Sequence, residues 1–193
     1  MKKVLLLLTA VLLSLGLASG STSGYLVDTE VASSSIDAAE FNGVTLLEDG
    51  FESDPWEAKW NDNGITTWAL NNDSYSGQRA ALCDKGNNGY LTSDDVDTSA
   101  ATTVIVSFWF KPKSLEAGDI LIQLYDGSTY NTLYDLADYP AYEDNTWCYF
   151  RQETTDSQYF NSNFRLRFDG SGLVDNSEKC RIDNVLIEMQ TEE

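Results

Sequence analysis

A chain without histidine has no Ser-His-Asp triad, no Cys-His pair, no imidazole zinc ligand and no imidazole general base. None of the 193 residues here is histidine. What remains is carboxylate chemistry, hard-cation binding and aromatic stacking. Paired carboxylates hydrolyse glycosides when both are aimed into one cleft. The Asp and Glu residues here sit mostly in turn-like contexts, where a raised carboxyl pKa is hard to arrange. A glycoside hydrolase is therefore the remote reading, and no catalytic residue is assigned. The Asp-x-Asp-x-Asp-Gly run of an EF-hand is also absent. One carboxylate stands out: Asp183 shares the parity of Val185, Ile187 and Met189. A charge on an apolar-facing position is costly unless it is paired or bound to a cation. Arg165 and Arg167 alternate with Phe164, Leu166 and Phe168, which makes them an outward-facing pair on one strand.

The elements that would position these residues are short β-runs punctuated by Gly, Asn and Asp. Strands are expected at 44–51, 66–70, 79–83, 90–92, 102–111, 119–125, 132–136, 146–153, 163–168 and 179–189, with a helical turn near Ser114–Gly118. Val104, Val106, Phe108 and Phe110 share one face, as central strands of packed sheets do. This spacing, without a 3.6-residue period, predicts an all-β sandwich over residues 44–189 and a tail at 190–193. At 42% hydrophobic and 12% aromatic, the chain is no disordered acidic tail. Its net charge of −19 and scattered Lys and Arg exclude a nucleic-acid partner.

Residues 1–24 read as a cleaved secretory signal: basic Lys2-Lys3, an apolar run from Val4 to Leu17, then small residues. That run is too short for a permanent span, so no membrane span is expected after cleavage. None of the 31 acidic residues lies in the leader, so its removal makes the mature chain more negative still. Tyr25-Leu26-Val27-Asp28-Thr29-Glu30, followed by Ser33 to Ser35 and Ala38-Ala39-Glu40-Phe41, resembles the signal class cut by SipW-type peptidases on TasA-like and camelysin-like surface proteins. The resemblance implies export to the cell surface or matrix, with residues 25–43 as an arm or donated strand.

A second resemblance spans roughly residues 47–189. Asp49-Gly50-Phe51-Glu52, Ser76-Gly77, Leu91-Thr92-Ser93 and the closing Ile182-Asp183-Asn184-Val185-x-Ile187 look like MAM-like and carbohydrate-binding-module jelly rolls. Those families imply a jelly-roll β-sandwich of the concanavalin or galactose-binding kind. They also imply a structural calcium ion, which nominates Glu52 and Asp183 with Asp49 assisting. Sugar contacts in such modules are flat aromatic rings flanked by Arg, which nominates Trp68, Tyr90, Tyr130, Arg165 and Arg167, with Tyr125 and Trp147 nearby. The clusters Asp94-Asp95-x-Asp97 and Glu143-Asp144 read instead as solvated turns.

Three cysteines in an exported chain allow one intrachain disulfide. Cys148 with Cys180 is the expected pair, leaving Cys83 free or available for an intermolecular bond. Asn72-Asp73-Ser74 is a glycosylation sequon. Together these features predict a secreted, non-catalytic surface or matrix protein. A structural subunit of a filament or sheath, associating with itself or other surface proteins, stands first. A polysaccharide-binding, lectin-like module is the alternative.

Overall fold

The computed structural model describes residues 43–53, 59–61 and 68–192. The expected signal segment and, apart from Gly43, the arm lie outside the described residues. Among the described residues no helix is long and apolar enough to cross a membrane.

Eleven strands follow one another along these residues: β1 (Gly43–Asp49), β2 (Trp60–Asn61), β3 (Ala69–Asn71), β4 (Ala80–Asp84), β5 (Tyr90–Ser93), β6 (Ala101–Lys113), β7 (Leu121–Tyr125), β8 (Tyr130–Asp135), β9 (Cys148–Thr154), β10 (Leu166–Asp169) and β11 (Lys179–Thr191). They form two antiparallel sheets. One runs β3-β4-β11-β6-β9, with β1 also paired to β11, and the other runs β2-β5-β10-β7-β8. The protein is an all-β sandwich, as the turn spacing requires. The short 3-10 turns Leu136–Asp138 and Ser157–Tyr159 are N-capped by Asp135 and Asp156. At Ser114–Gly118, where a helical turn was expected, there is only a bend and a tight turn.

Alternation decides which side chains fill the space between the sheets. Val104, Val106, Phe108 and Phe110 of β6 are buried, as are Leu166 and Phe168 of β10 and Ile122 and Leu124 of β7. Phe108 stacks on Phe150 of β9 at 4.5 Å and meets Phe168 of the other sheet edge-on at 5.0 Å. That contact joins the two layers, and offset or edge-on packing of this kind adds to the gain from area burial.

β11 is interrupted between Asp183 and Leu186, and Asn184 takes φ 48° there. The interruption overturns the parity expected for Asp183. Ile182, Val185 and Ile187 face the core, whereas Asp183 pairs with Trp109 and shares the outer side with it. An extra residue in a strand shifts every later side chain to the opposite face. Asp183 is nevertheless fully buried, because the loop around Tyr75 and Ser76 lies over it. Both amides of that loop donate to its Oδ2, at 2.8 and 3.0 Å.

Candidate functional site

The outer face of the five-stranded sheet holds a polar row that crosses all five strands: Asn61 opposite Thr92, Thr92 opposite Arg167, Arg167 opposite Gln123, and Gln123 opposite Thr132. Residues at one register point the same way, so five neighbouring strands deliver one polar floor. A cavity of about 700 Å3 opens over it, lined by Asn61, Tyr90, Thr92, Ser93, Asp94, Asp95, Tyr130, Arg165 and Arg167.

Arg167 is the centre of this floor. Its guanidinium carbon lies 3.6 Å from the Tyr130 ring centroid and 4.4 Å from that of Tyr90. Its Nε donates to Gln123 Oε1 at 2.6 Å. A guanidinium over an aromatic face is attracted by the ring quadrupole, so Arg167 fixes two tyrosines from different strands. Arg165 lies over Tyr125 at 5.3 Å and its Nε donates to Asp95 Oδ1. That contact raises the arginine's pKa, the largest cause being the Asp95 hydrogen bond, opposed by burial. Tyr125 and Tyr130 lie 4.9 Å apart across the β7–β8 pair. The groove thus offers flat aromatic surface and fixed hydrogen-bonding groups with little freedom to lose on binding.

Four of the nominated sugar contacts, Tyr90, Tyr130, Arg165 and Arg167, stand together at this groove. Trp68 does not. It is fully buried, packs 6.1 Å from Phe168 and donates its indole N–H to the Gly89 carbonyl at 3.2 Å, so its ring belongs to the core. Trp147 lies by the other sheet, 6.0 Å from Tyr75. Sequence reading missed Asn61, Gln123 and Asp95. For Gln123 the signal was present, since it alternates with Ile122 and Leu124. Asp95 sits in a turn and is brought to Arg165 only by the fold.

Of the three nominated cation ligands, Glu52 and Asp183 stand at one loop and Asp49 does not. Glu52 accepts the amides of Gln78 and Arg79 at 2.9–3.1 Å, so Glu52 and Asp183 hold the two ends of one loop. Gly77 sits between them with φ 65°, and a Cβ there would lie 2.1 Å from Glu52 Oε1. Asp49 is turned away, accepting from the Phe51 amide at 3.0 Å and the Trp60 indole at 2.7 Å. Burial raises the pKa of Asp183, opposed by the amides it accepts and reinforced by the charge of Glu52. Among the described residues no three acidic, histidine or cysteine side chains converge as metal ligands.

The three thiols are free and buried. The expected Cys148–Cys180 bridge is not made, and the topology explains why. β6 lies between β9 and β11, which separates the two cysteines by roughly 10 Å at the usual strand spacing. Cys180 instead stands opposite Cys83. Asn72 is exposed beyond the end of β3.

No family model matches the chain, and no curated protein matches it. Solved structures do match. The CBM22-1 xylan-binding domain from Paenibacillus barcinonensis Xyn10C aligns with a TM-score of 0.53 at 15% identity, over 78% of this chain and 97% of that one. The fold is the jelly roll of carbohydrate-binding modules. The CBM22-1–CBM22-2 tandem domain of the same protein gives 0.52 at 17% identity, over 80% of this chain and 48% of that one. At such identities the likeness is one of fold, and a jelly roll hosts many activities.

Proposed function

We propose that this chain is an exported, non-catalytic carbohydrate-binding protein, and that the groove on the β2-β5-β10-β7-β8 sheet receives a polysaccharide. The observation that carries this reading is Arg167 held between Tyr90 and Tyr130. Pyranose rings lay their C–H faces on aromatic rings while their hydroxyls take hydrogen bonds from fixed polar groups, and the floor supplies both. The likeness to a xylan-binding module supports the same reading. The carboxylates that line the groove, Asp94 and Asp95, are exposed. A general acid needs a carboxyl whose proton is retained by burial, which favours binding over hydrolysis. The filament-subunit reading yields first place, because the structural likeness is to a xylan-binding module.

Affinity electrophoresis through gels containing xylan, β-1,4-galactan or mixed-linkage β-glucan tests the proposal. At least one polymer retards the wild-type protein, and Arg167→Ala with Tyr130→Ala restores free migration. Free migration of the wild-type protein in every gel, with multimers in sedimentation, returns first place to the subunit reading.

A structural calcium ion belongs to the same proposal. Glu52 and Asp183 supply hard oxygen donors around one loop, with the Asn184 side-chain oxygen close by at Gly50, and backbone carbonyls would complete the 6–8 ligands calcium takes. The ion would neutralise the like charges of Glu52 and the buried Asp183. A melting temperature that rises with calcium and falls with chelator supports the site; an unchanged one removes it.

A further inference from the structure

The opposite sheet carries aromatic rings on its outer face. Phe108 and Phe110 of β6 point into the core, so Trp109 between them points out, and Tyr149 of β9 stands out beside buried Phe150 in the same way. Tyr75 lies flat on Trp109, ring centroids 3.8 Å apart and planes 9° from parallel. Trp147 meets Tyr75 edge-on at 6.0 Å, and Tyr149 lies 5.2 Å from Trp109. Tyr75 and Tyr149 keep 43% and 44% of their surface exposed.

Beside this platform a groove of about 440 Å3 opens where β11 is interrupted. Ser76, Ser107, Tyr149 and Asn184 line it, together with the carboxylates Glu48 and Asp49. Asn184 accepts from the Ser76 hydroxyl through Oδ1 at 3.0 Å, and its amide nitrogen is a donor group at the same groove. The cations around this face are already engaged: Arg151, opposite Ser107, pairs with Glu153 at 3.4 Å, Lys59 donates to the Glu48 carbonyl at 2.6 Å, and Lys111 and Arg181 pair with Asp73, at 3.1 and 3.3 Å.

We propose that this face is a second carbohydrate-binding site, selective for neutral sugars. An aromatic platform beside hydroxyl, amide and carboxylate groups matches a pyranose, whose C–H face is apolar and whose rim is polar. Glu48 lines the groove and no Lys or Arg does, so uronates, sulfated glycans and phosphates are disfavoured. A second copy of the chain is disfavoured on the same ground, since each copy carries a net charge of −19. This site goes beyond the first groove, and it stands or falls on its own, because it lies on the other sheet.

Isothermal titration of the full chain with neutral hexaoses of xylose, galactose and glucose tests it, with tryptophan fluorescence as a second readout that Trp109 and Trp147 report. Tyr149 is exposed, so Tyr149→Ala leaves the core intact; Arg167→Ala disables the first groove alone. The expected result is two classes of site in the wild-type protein. Arg167→Ala keeps the class that quenches fluorescence, and Tyr149→Ala weakens that class about tenfold. A single class of site that Tyr149→Ala leaves untouched overturns the proposal. So does a concentration-dependent dimer in sedimentation that Tyr149→Ala abolishes, for then another copy occupies the face. Loss of all binding in Arg167→Ala overturns it while sustaining the first groove.

Discussion

The guanidinium of Arg167 lies 3.6 Å over the ring of Tyr130, joining β10 to β8 across the intervening β7. Its planarity is what permits the second contact with Tyr90 and the hydrogen bond to Gln123 together. Lysine keeps the charge but lacks the planar fork. Arg167→Lys is therefore expected to lower polysaccharide affinity about tenfold with little change in melting temperature. Equal losses in affinity and stability would mean that the residue serves packing alone.

The thiols give a test of sheet register. All three are buried, and burial raises the pKa of Cys83, Cys148 and Cys180 alike, so they stay protonated and weakly nucleophilic. A thiol reagent should label none of them in the native protein and all three after unfolding. Refolding in glutathione buffer should link Cys83 to Cys180, whose strands are neighbours. Peptide mapping that found Cys148 joined to Cys180 would contradict the strand order.

Asp119 predicts how stability depends on pH. Burial raises its pKa above the usual 3.8, and the charges of Glu178, Glu116 and Asp135 add to this, opposed by the Glu116 amide. The native chain therefore holds this proton more tightly than the unfolded one. Stability falls as pH rises above about 4 through the raised value, and the cost is complete at neutrality. Asp183 acts in the same sense. Asp119→Asn keeps an acceptor for the Glu116 amide, which donates at 2.6 Å, and removes the charge. Thermal melts should show it more stable than wild type at neutral pH and nearly equal to it near pH 4.

Gly172 marks a place where two backbones meet. A Cβ on it would lie 2.1 Å from the Gly118 carbonyl oxygen and 2.8 Å from the Asp119 Cα. Neither atom is the end of a flexible side chain, so the loop must move. Gly172→Ala is expected to cost about 1–3 kcal/mol by overpacking, read as a lowered denaturant midpoint. A midpoint equal to wild type would show that the two loops part freely.

The parts legible in the sequence are those with a period. Phe164 to Phe168 alternates strictly and its structure follows the pattern, which is why Arg165 and Arg167 could be placed outward beforehand. β2 has only two residues, Trp60–Asn61, too few to show any period, so Asn61 went unseen. The interruption at Asp183–Leu186 resets parity without a glycine to announce it, and Asp183 was put on the wrong face. Trp68 was misjudged for a different reason. Large aromatics serve cores and sugar surfaces equally well, and only the fold separates Trp68 from Tyr130. The cysteines erred in kind with strand order, since sequence distance does not reveal that β6 separates β9 from β11.

β11 pairs along its length with β6 and, on its other side, with β4 and then β1. Gly43 is thereby hydrogen-bond neighbour to Gln190, so one sheet cannot close until nearly all the described chain has been made. Such long-range pairing carries loop-closure entropy before any contact compensates it, and all-β topologies of this kind fold in roughly milliseconds to seconds. A nascent chain lacking β11 has its first, fourth and sixth strands without their common neighbour. On the proposed export route, the time spent open is time in which a translocation channel would find an unfolded thread, with folding left for the far side.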